Sequence, residues 1–216
     1  MLTLLTTLLL SYLLGSIPSS IIAGKLHGID IRQHGSGNAG ATNTFRVLGS
    51  KVGAAVMLFD MFKGFAATRF ISQIRIDGML VVGDATMSAP FLMVLCGLMA
   101  MFGHIWTVFA GFKGGKGVAT GGGMLLGLVP TAVLIALVLF SIIVYATRYV
   151  SLGSILATAS IPVVLVVQHF IVGDLVALPI FVFCALVPFF IAFTHRANIQ
   201  RLLAGTESRI GRPKTA

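Results

Sequence analysis

VATGGGMLLGLVPTAVLIALVLFSIIVYAT, running from Val118 to Thr147, decides how this chain folds. The stretch holds 30 residues and no charge. An α-helix needs about 20 apolar residues to cross a bilayer core, so the stretch is too long for one ordinary span. Pro130 stands near its middle. Two readings follow: one tilted helix kinked at Pro130, or two shorter helices that meet there.

Outward from this stretch lie further apolar runs near 2–23, 52–72, 87–107, 150–171 and 175–194. The basic residues choose between the two readings, because Lys and Arg gather in cytoplasmic loops. With a turn at Pro130 the chain has seven spans, and residues 24–51, 108–117, 148–149 and 195–216 share one side. That side then carries Lys25, Arg32, Arg46, Lys51, Lys113, Lys116, Arg148, Arg196, Arg201, Arg209, Arg212 and Lys214, which are 12 of the 15 basic residues. The other side keeps Arg75, with Arg69 at its edge, near Asp77 and Asp84. With a single helix the C-terminal tail changes sides and the asymmetry collapses. The reading is therefore an all-α integral membrane protein with seven transmembrane helices, its N-terminus outside and its C-terminus cytoplasmic. Residues 1–216 form one transmembrane domain.

Composition agrees. Hydrophobic residues make up 57% of the chain and charged residues 10%, against about 25% charged in soluble domains; mean hydropathy is +1.02. A net charge of +9 would suggest nucleic acid as a partner of a soluble protein, but here topology accounts for it and no nucleic-acid role is expected. The opening MLTLLTTLLL has no positive leader and reads as a first span, not a cleaved signal. Cys96 and Cys184 sit inside apolar runs without metal-ligand spacing and read as free core thiols.

Three polar segments interrupt the apolar pattern, and the seven-span topology puts all three at one membrane face. The first is GSGNAGATNTFR, Gly35 to Arg46. Gly35 and Gly37 let successive backbone N–H groups turn toward one anion. Ser36, Asn38, Thr42 and Asn43 add hydroxyl and amide donors, and Arg46 can grip two phosphate oxygens. A helix starting near Thr42 would add its own N-terminus. The segment also fits the GxGxxG pattern, but no strand precedes it, so a dinucleotide site is set aside. A glycine-rich turn packed between helices would not explain so many donors.

The second segment is GFKGGKG, Gly111 to Gly117, with Lys113 and Lys116 around Gly114 and Gly115. It fails the ATPase P-loop pattern, which requires Gly at 110 and Ser or Thr at 117, where Ala110 and Gly117 stand. The third segment is HRANIQRLLAGTESR, His195 to Arg209. It spaces His195, Asn198 and Arg201 three residues apart on a helix, with Glu207 following. Within the second span, Asp60 and Lys63 stand at i and i+3, and mutual pairing is the favoured reading. His104, beside Trp106, reads as either catalytic or interfacial. His27, His34 and His169 receive no role.

These segments resemble the three motifs of the acyl-phosphate-dependent glycerol-3-phosphate acyltransferases, bacterial membrane enzymes that begin phospholipid synthesis. GSGNAGATNTFR is similar to the first motif, GHIWTVFAGFKGGKGVAT to the second and HRANIQRLLAGTESRI to the third; LFDMFKG around Asp60 and Lys63 is similar as well. Thr107 stands where members usually have Pro. The resemblance implies a seven-helix fold in the bacterial inner membrane with an active site on the cytoplasmic face. It implies acyl phosphate and glycerol 3-phosphate as substrates and lysophosphatidate and inorganic phosphate as products, with no cofactor and no metal. Membrane lipids are the other expected partners.

Catalytic roles are expected for Ser36, Asn38 and His195. Substrate binding is expected for Gly35, Gly37, Thr42, Asn43, Arg46, Lys113, Gly114, Gly115, Lys116, Asn198 and Arg201. An acyl phosphate carries its own leaving group, and the chain has no Ser-His-Asp order and no HxxxxD motif, so direct attack without an acyl-enzyme is the expected course. The rival class is a transporter or channel for phosphate or an organic anion, which predicts symmetric halves and polar groups at mid-membrane. A purely structural membrane subunit leaves the donors unexplained.

Overall fold

The computed structural model describes residues 1–76, 81–82, 85–86, 88–207 and 209. Asp77, Asp84, Arg212 and Lys214, which entered the charge argument, lie outside the described residues. The described chain is helical apart from an antiparallel pair of two-residue strands, β1 (Val81–Val82) and β2 (Ala85–Thr86). Four helical stretches are long and apolar enough to cross a membrane, or five when a bent pair near the C-terminus counts as one. The chain divides into two compact units, Met1–Leu128 and Val129–Ala216.

In the first unit the opening apolar run is two helices, α1 (Leu2–Ser16) and α2 (Ser19–Leu26). Pro18 breaks them: it has no N–H to give, and its ring drives Ile17 into extended backbone, φ −60° and ψ 113°. The break frees carbonyls in a segment where an unpaired polar group costs several kcal/mol. Buried side chains from distant parts of the chain take them up. Lys63 Nζ donates to Gly15 O at 3.1 Å and to Ile17 O at 2.9 Å, and the Thr107 hydroxyl donates to Ser16 O. Thr107 thus caps a broken helix through a hydroxyl that a proline would lack. Thr107→Val should cost about 1–2 kcal/mol, because Ser16 O would be left buried without a donor. Chemical unfolding in detergent micelles reads this directly.

The buried face of α1 is Thr3, Thr7, Ser11 and Gly15 at four-residue intervals, a small-residue seam of the kind that lets membrane helices pack closely. It lies on α4 (Ala89–Ile105), where Gly15 meets the Ala100 backbone. The next helix, α3 (Ala41–Arg69), joins the helix start expected near Thr42 to the apolar run at 52–72. Its first turns belong to the GSGNAGATNTFR segment, and Gly49, at φ 82°, separates them from the apolar part. That later part packs on α5 (Val118–Leu128), with Gly64 against the Thr120 carbonyl and Gly123 against that of Met61. Cys96 and Cys184 are buried free thiols, as expected.

The second unit begins at the break that the sequence placed at Pro130. Val129 leaves helical geometry at φ −140° and ψ 64°, and Pro130 opens α6 (Pro130–Thr147), where its missing N–H costs nothing. The long apolar stretch is therefore two helices. The 11 residues of α5 reach only about 16 Å, roughly half the bilayer core. α6 packs on α7 (Val150–Val172), and α7 on α8 (Leu178–Thr194). At Thr194 the chain bends by 64° into the short α9 (Arg196–Leu203).

Candidate active site

Asp30 and Asn43 build the loop that carries the first polar segment. The Asp30 carboxylate caps a short turn by accepting from Arg32 N at 3.0 Å. It also takes the Arg32 guanidinium at both oxygens, at 3.0 and 2.9 Å. Arg32, hydrogen-bonded this way, holds the Asp30 carboxyl down at about 2. Asn43 is fully committed within the loop. Its amide donates to Ile31 O at 3.0 Å and His34 O at 2.9 Å, and its carbonyl accepts from Ser36 N at 2.8 Å. Both of its amide hydrogens are spent shaping the loop, and through its carbonyl it orients Ser36. Gly35 and Gly37, at φ 62° and 71°, make the reversal that this closure needs.

α3 then starts at Ala41 behind Gly40, close to the start expected near Thr42. The backbone N–H groups of Asn38 and Ala39, and those of Ala41 and Thr42 in the first turn of α3, have no partner within the described residues; the latter two are the usual orphans of a helix N-terminus. Thr42 and Arg46 stand one turn apart on α3. Ser36, Thr42 and Arg46 are exposed and Asn38 is half-buried. Unpaired N–H groups, the helix dipole and a free guanidinium together favour an anion.

The second segment touches the first. Gly115 is buried, and its Cα faces the His104 ring and the Ala39 carbonyl so closely that a Cβ would stand 2.7 Å from that oxygen. Ala110 packs into the small cluster of Ile21, Ile31 and Ala39. Gly114 N donates to Ile105 O at 3.0 Å and Gly115 N to His104 O at 3.1 Å. Gly115 therefore serves the close approach of the two loops, Gly114 lets its turn close on the end of α4, and both N–H groups are engaged with α4 carbonyls. Lys113 and Lys116, on either side, are exposed, and like Arg46 their side chains have no partner within the described residues. His104 is buried, with Nδ1 3.2 Å from Lys63 Nζ, so the interfacial alternative does not describe it. Asp60 and Lys63 pair at 2.8 Å, as the i, i+3 spacing suggested.

The third segment lies in the second unit, where Glu207 organises it. The Glu207 carboxylate accepts from Ser151 Oγ at 2.8 Å, Asn198 Nδ2 at 2.7 Å and Arg201 Nε at 2.7 Å. His195 precedes α9, and its Nδ1 lies 3.0 Å from the Ile191 carbonyl. A carbonyl only accepts, so Nδ1 carries the proton and Nε2 of the neutral ring is an acceptor. Sequence reading gave Glu207 no role; three donors converging on one carboxylate are visible only in the fold. Burial pushes the Glu207 carboxyl up, but hydrogen bonds from Asn198, Arg201 and Ser151 outweigh this and hold it below the usual glutamate range. The stabilisation from these bonds is present above the ordinary glutamate value of about 4.3 and is lost as pH falls through the lower, folded value. Glu207→Gln should lower the melting temperature at neutral pH, and the gap to the natural chain should narrow on acidification; thermal melts across pH measure both.

The family described as glycerol-3-phosphate acyltransferase matches residues 5–205 of this chain. The chain belongs to that family. Among curated family members, glycerol-3-phosphate acyltransferases from Chlorobium phaeobacteroides (strain DSM 266) and Chlorobaculum tepidum are 46% and 44% identical, each over 97% of both chains. Two solved structures of PlsY, an integral membrane glycerol 3-phosphate acyltransferase, superpose with a TM-score of 0.71 at 35% identity. They are its glycerol 3-phosphate form, covering 96% of both chains, and its lysophosphatidic acid form, covering 96% of this chain and 95% of that one. The acyltransferase family thus includes a membrane structure of the same fold, and this member is an integral membrane protein.

Proposed function

We infer that this acyltransferase moves the acyl group of an acyl phosphate to the sn-1 hydroxyl of glycerol 3-phosphate. Lysophosphatidate and inorganic phosphate are the products. The observation that carries this reading is the joining of two loops at Ala39 and Gly115. Together they offer unpaired N–H groups at the α3 N-terminus and three uncommitted cations, Arg46, Lys113 and Lys116, suited to two phosphate-bearing substrates. Backbone N–H groups of the first loop, with Ser36 and Asn38, hold the acyl-phosphate head. Arg46 and Lys113 grip glycerol phosphate, and Thr42 and Lys116 complete the ligands that the first unit supplies.

The hydroxyl oxygen attacks the acyl carbonyl carbon, a new C–O bond forms, and the bond to phosphate breaks. The hydroxyl proton passes to the departing phosphate. Positioning and charge stabilisation supply most of the rate, because the leaving group is already good. The chain acts as one transmembrane domain of seven spans in the bacterial inner membrane. Its N-terminus is outside and its active site faces the cytoplasm, a topology supported by the bias of basic residues and by the helix break at Pro130.

The test supplies purified protein in lipid vesicles with labelled glycerol 3-phosphate and either acyl phosphate or acyl-CoA. Labelled lysophosphatidate is expected with acyl phosphate alone. Product from acyl-CoA overturns the donor assignment, and uptake without acylation favours a transporter.

A further inference from the structure

The first unit contains a buried ionic cluster that the acyl-transfer reading leaves without a task. Lys63 and Asp60 are 0% and 1% exposed and His104 is 8% exposed. Asp60 Oδ1 accepts from Ser19 Oγ at 2.6 Å and pairs with Lys63 Nζ at 2.8 Å, while Oδ2 has no hydrogen-bond partner within the described residues. Lys63 has three N–H donors and four acceptors within 3.2 Å: Asp60 Oδ1, the Ile17 and Gly15 carbonyls, and His104 Nδ1. Stability alone does not explain such a group, since well-packed apolar residues usually serve a buried core as well as an ion pair or better.

Its connections supply a task. Through Lys63 and Ser19 the cluster grips both sides of the break at Pro18. Through His104 it reaches the second loop, because His104 O receives Gly115 N at 3.1 Å and the imidazole packs directly under Gly115. Ser19, His104, Gly114 and Gly115 all line one narrow recess. Any shift of the ring moves the glycine pair, and with it the two lysines on either side.

We propose that Asp60, Lys63 and His104 are positioning residues for acyl transfer, fixing the Gly114–Gly115 turn so that Lys113 and Lys116 meet glycerol phosphate. The proposal rests on the function inferred above. His104 acts through the loop and exchanges no proton with substrate.

The test compares His104→Ala and the milder His104→Gln with the natural chain in detergent, using steady-state acylation, calorimetric binding of glycerol 3-phosphate and thermal melts. Folded variants should show KM and Kd for glycerol 3-phosphate raised roughly ten- to hundred-fold, with kcat within about three-fold and the pH–rate profile unchanged in shape. A fall in kcat with a lost limb of that profile would put His104 in the chemistry and overturn the proposal. So would a lowered melting temperature with unchanged KM and Kd, which makes the cluster merely structural. If His104→Ala does not fold, His104→Gln decides. If the natural chain does not acylate, the inferred function fails, and the change in Kd still judges the cluster: an unchanged Kd overturns it.

Discussion

Lys63→Met should destabilise the protein by about 3–5 kcal/mol, the usual result of removing one partner of a buried ion pair. Three separate losses add to this effect. Asp60, 1% exposed, keeps its charge without its 2.8 Å counter-ion. The Gly15 and Ile17 carbonyls lose their donor, and no water replaces it cheaply at that depth. Methionine fills nearly the same volume, so a cavity is not the cause. Asp60→Leu combined with Lys63→Met removes the stranded charge and should recover part of the loss, leaving the two carbonyls as the residue. Chemical unfolding in detergent micelles measures the series. A Lys63→Met protein within about 1 kcal/mol of the natural chain would refute the account, because surface-like pairs contribute no more than that.

Arg46→Ala and Ser36→Ala should each lower kcat/KM by roughly 10- to 150-fold, equivalent to the 1.5–3 kcal/mol of a hydrogen bond to a charged group. Arg46 is exposed and makes no side-chain hydrogen bond or ion pair among the described residues, so the melting temperature should hold while activity falls. Ser36 is also exposed. Its backbone N–H, not its hydroxyl, carries the contact to Asn43, so the alanine variant keeps the loop and loses only the hydroxyl. Lys51→Ala, on the exposed stretch after Gly49, serves as the control and should leave turnover near normal. Near-normal turnover in both Arg46→Ala and Ser36→Ala would sink the assignment of this loop as a substrate site.

Several of these features were legible in the residues. Pro130 allowed either a kink or a helix boundary, and the bias of basic residues chose the boundary at which α6 begins. Asp60 and Lys63 announced their pairing by spacing. The helix start expected near Thr42 is met by α3, which opens at Ala41. Other features depend on contacts that sequence distance hides. Residues 2–23 read as one apolar run, and Pro18 was passed over because nothing nearby shows which groups rescue the freed carbonyls. Those groups, Lys63 and Thr107, come from other helices and loops. Asn43 looked like one donor among several, since only the folded loop reveals that Ile31 and His34 already hold its amide. Glu207 passed unremarked for the same reason, its partners Ser151 and Asn198 lying 56 and 9 residues away.

The break at Pro18 also imposes an order on biosynthesis. A ribosome releases the two N-terminal helices before it has made either residue that completes the break between them. The carbonyls of Gly15 and Ile17 wait for Lys63, and that of Ser16 waits longer, for Thr107. Until then the nascent segment carries exposed acceptors that favour the water-lined channel of the insertion machinery over lipid. The first helix is therefore made well before the side chains that satisfy its broken end. A chain truncated before Lys63 should be held at the translocon or degraded, and one ending after Thr107 should partition into the membrane.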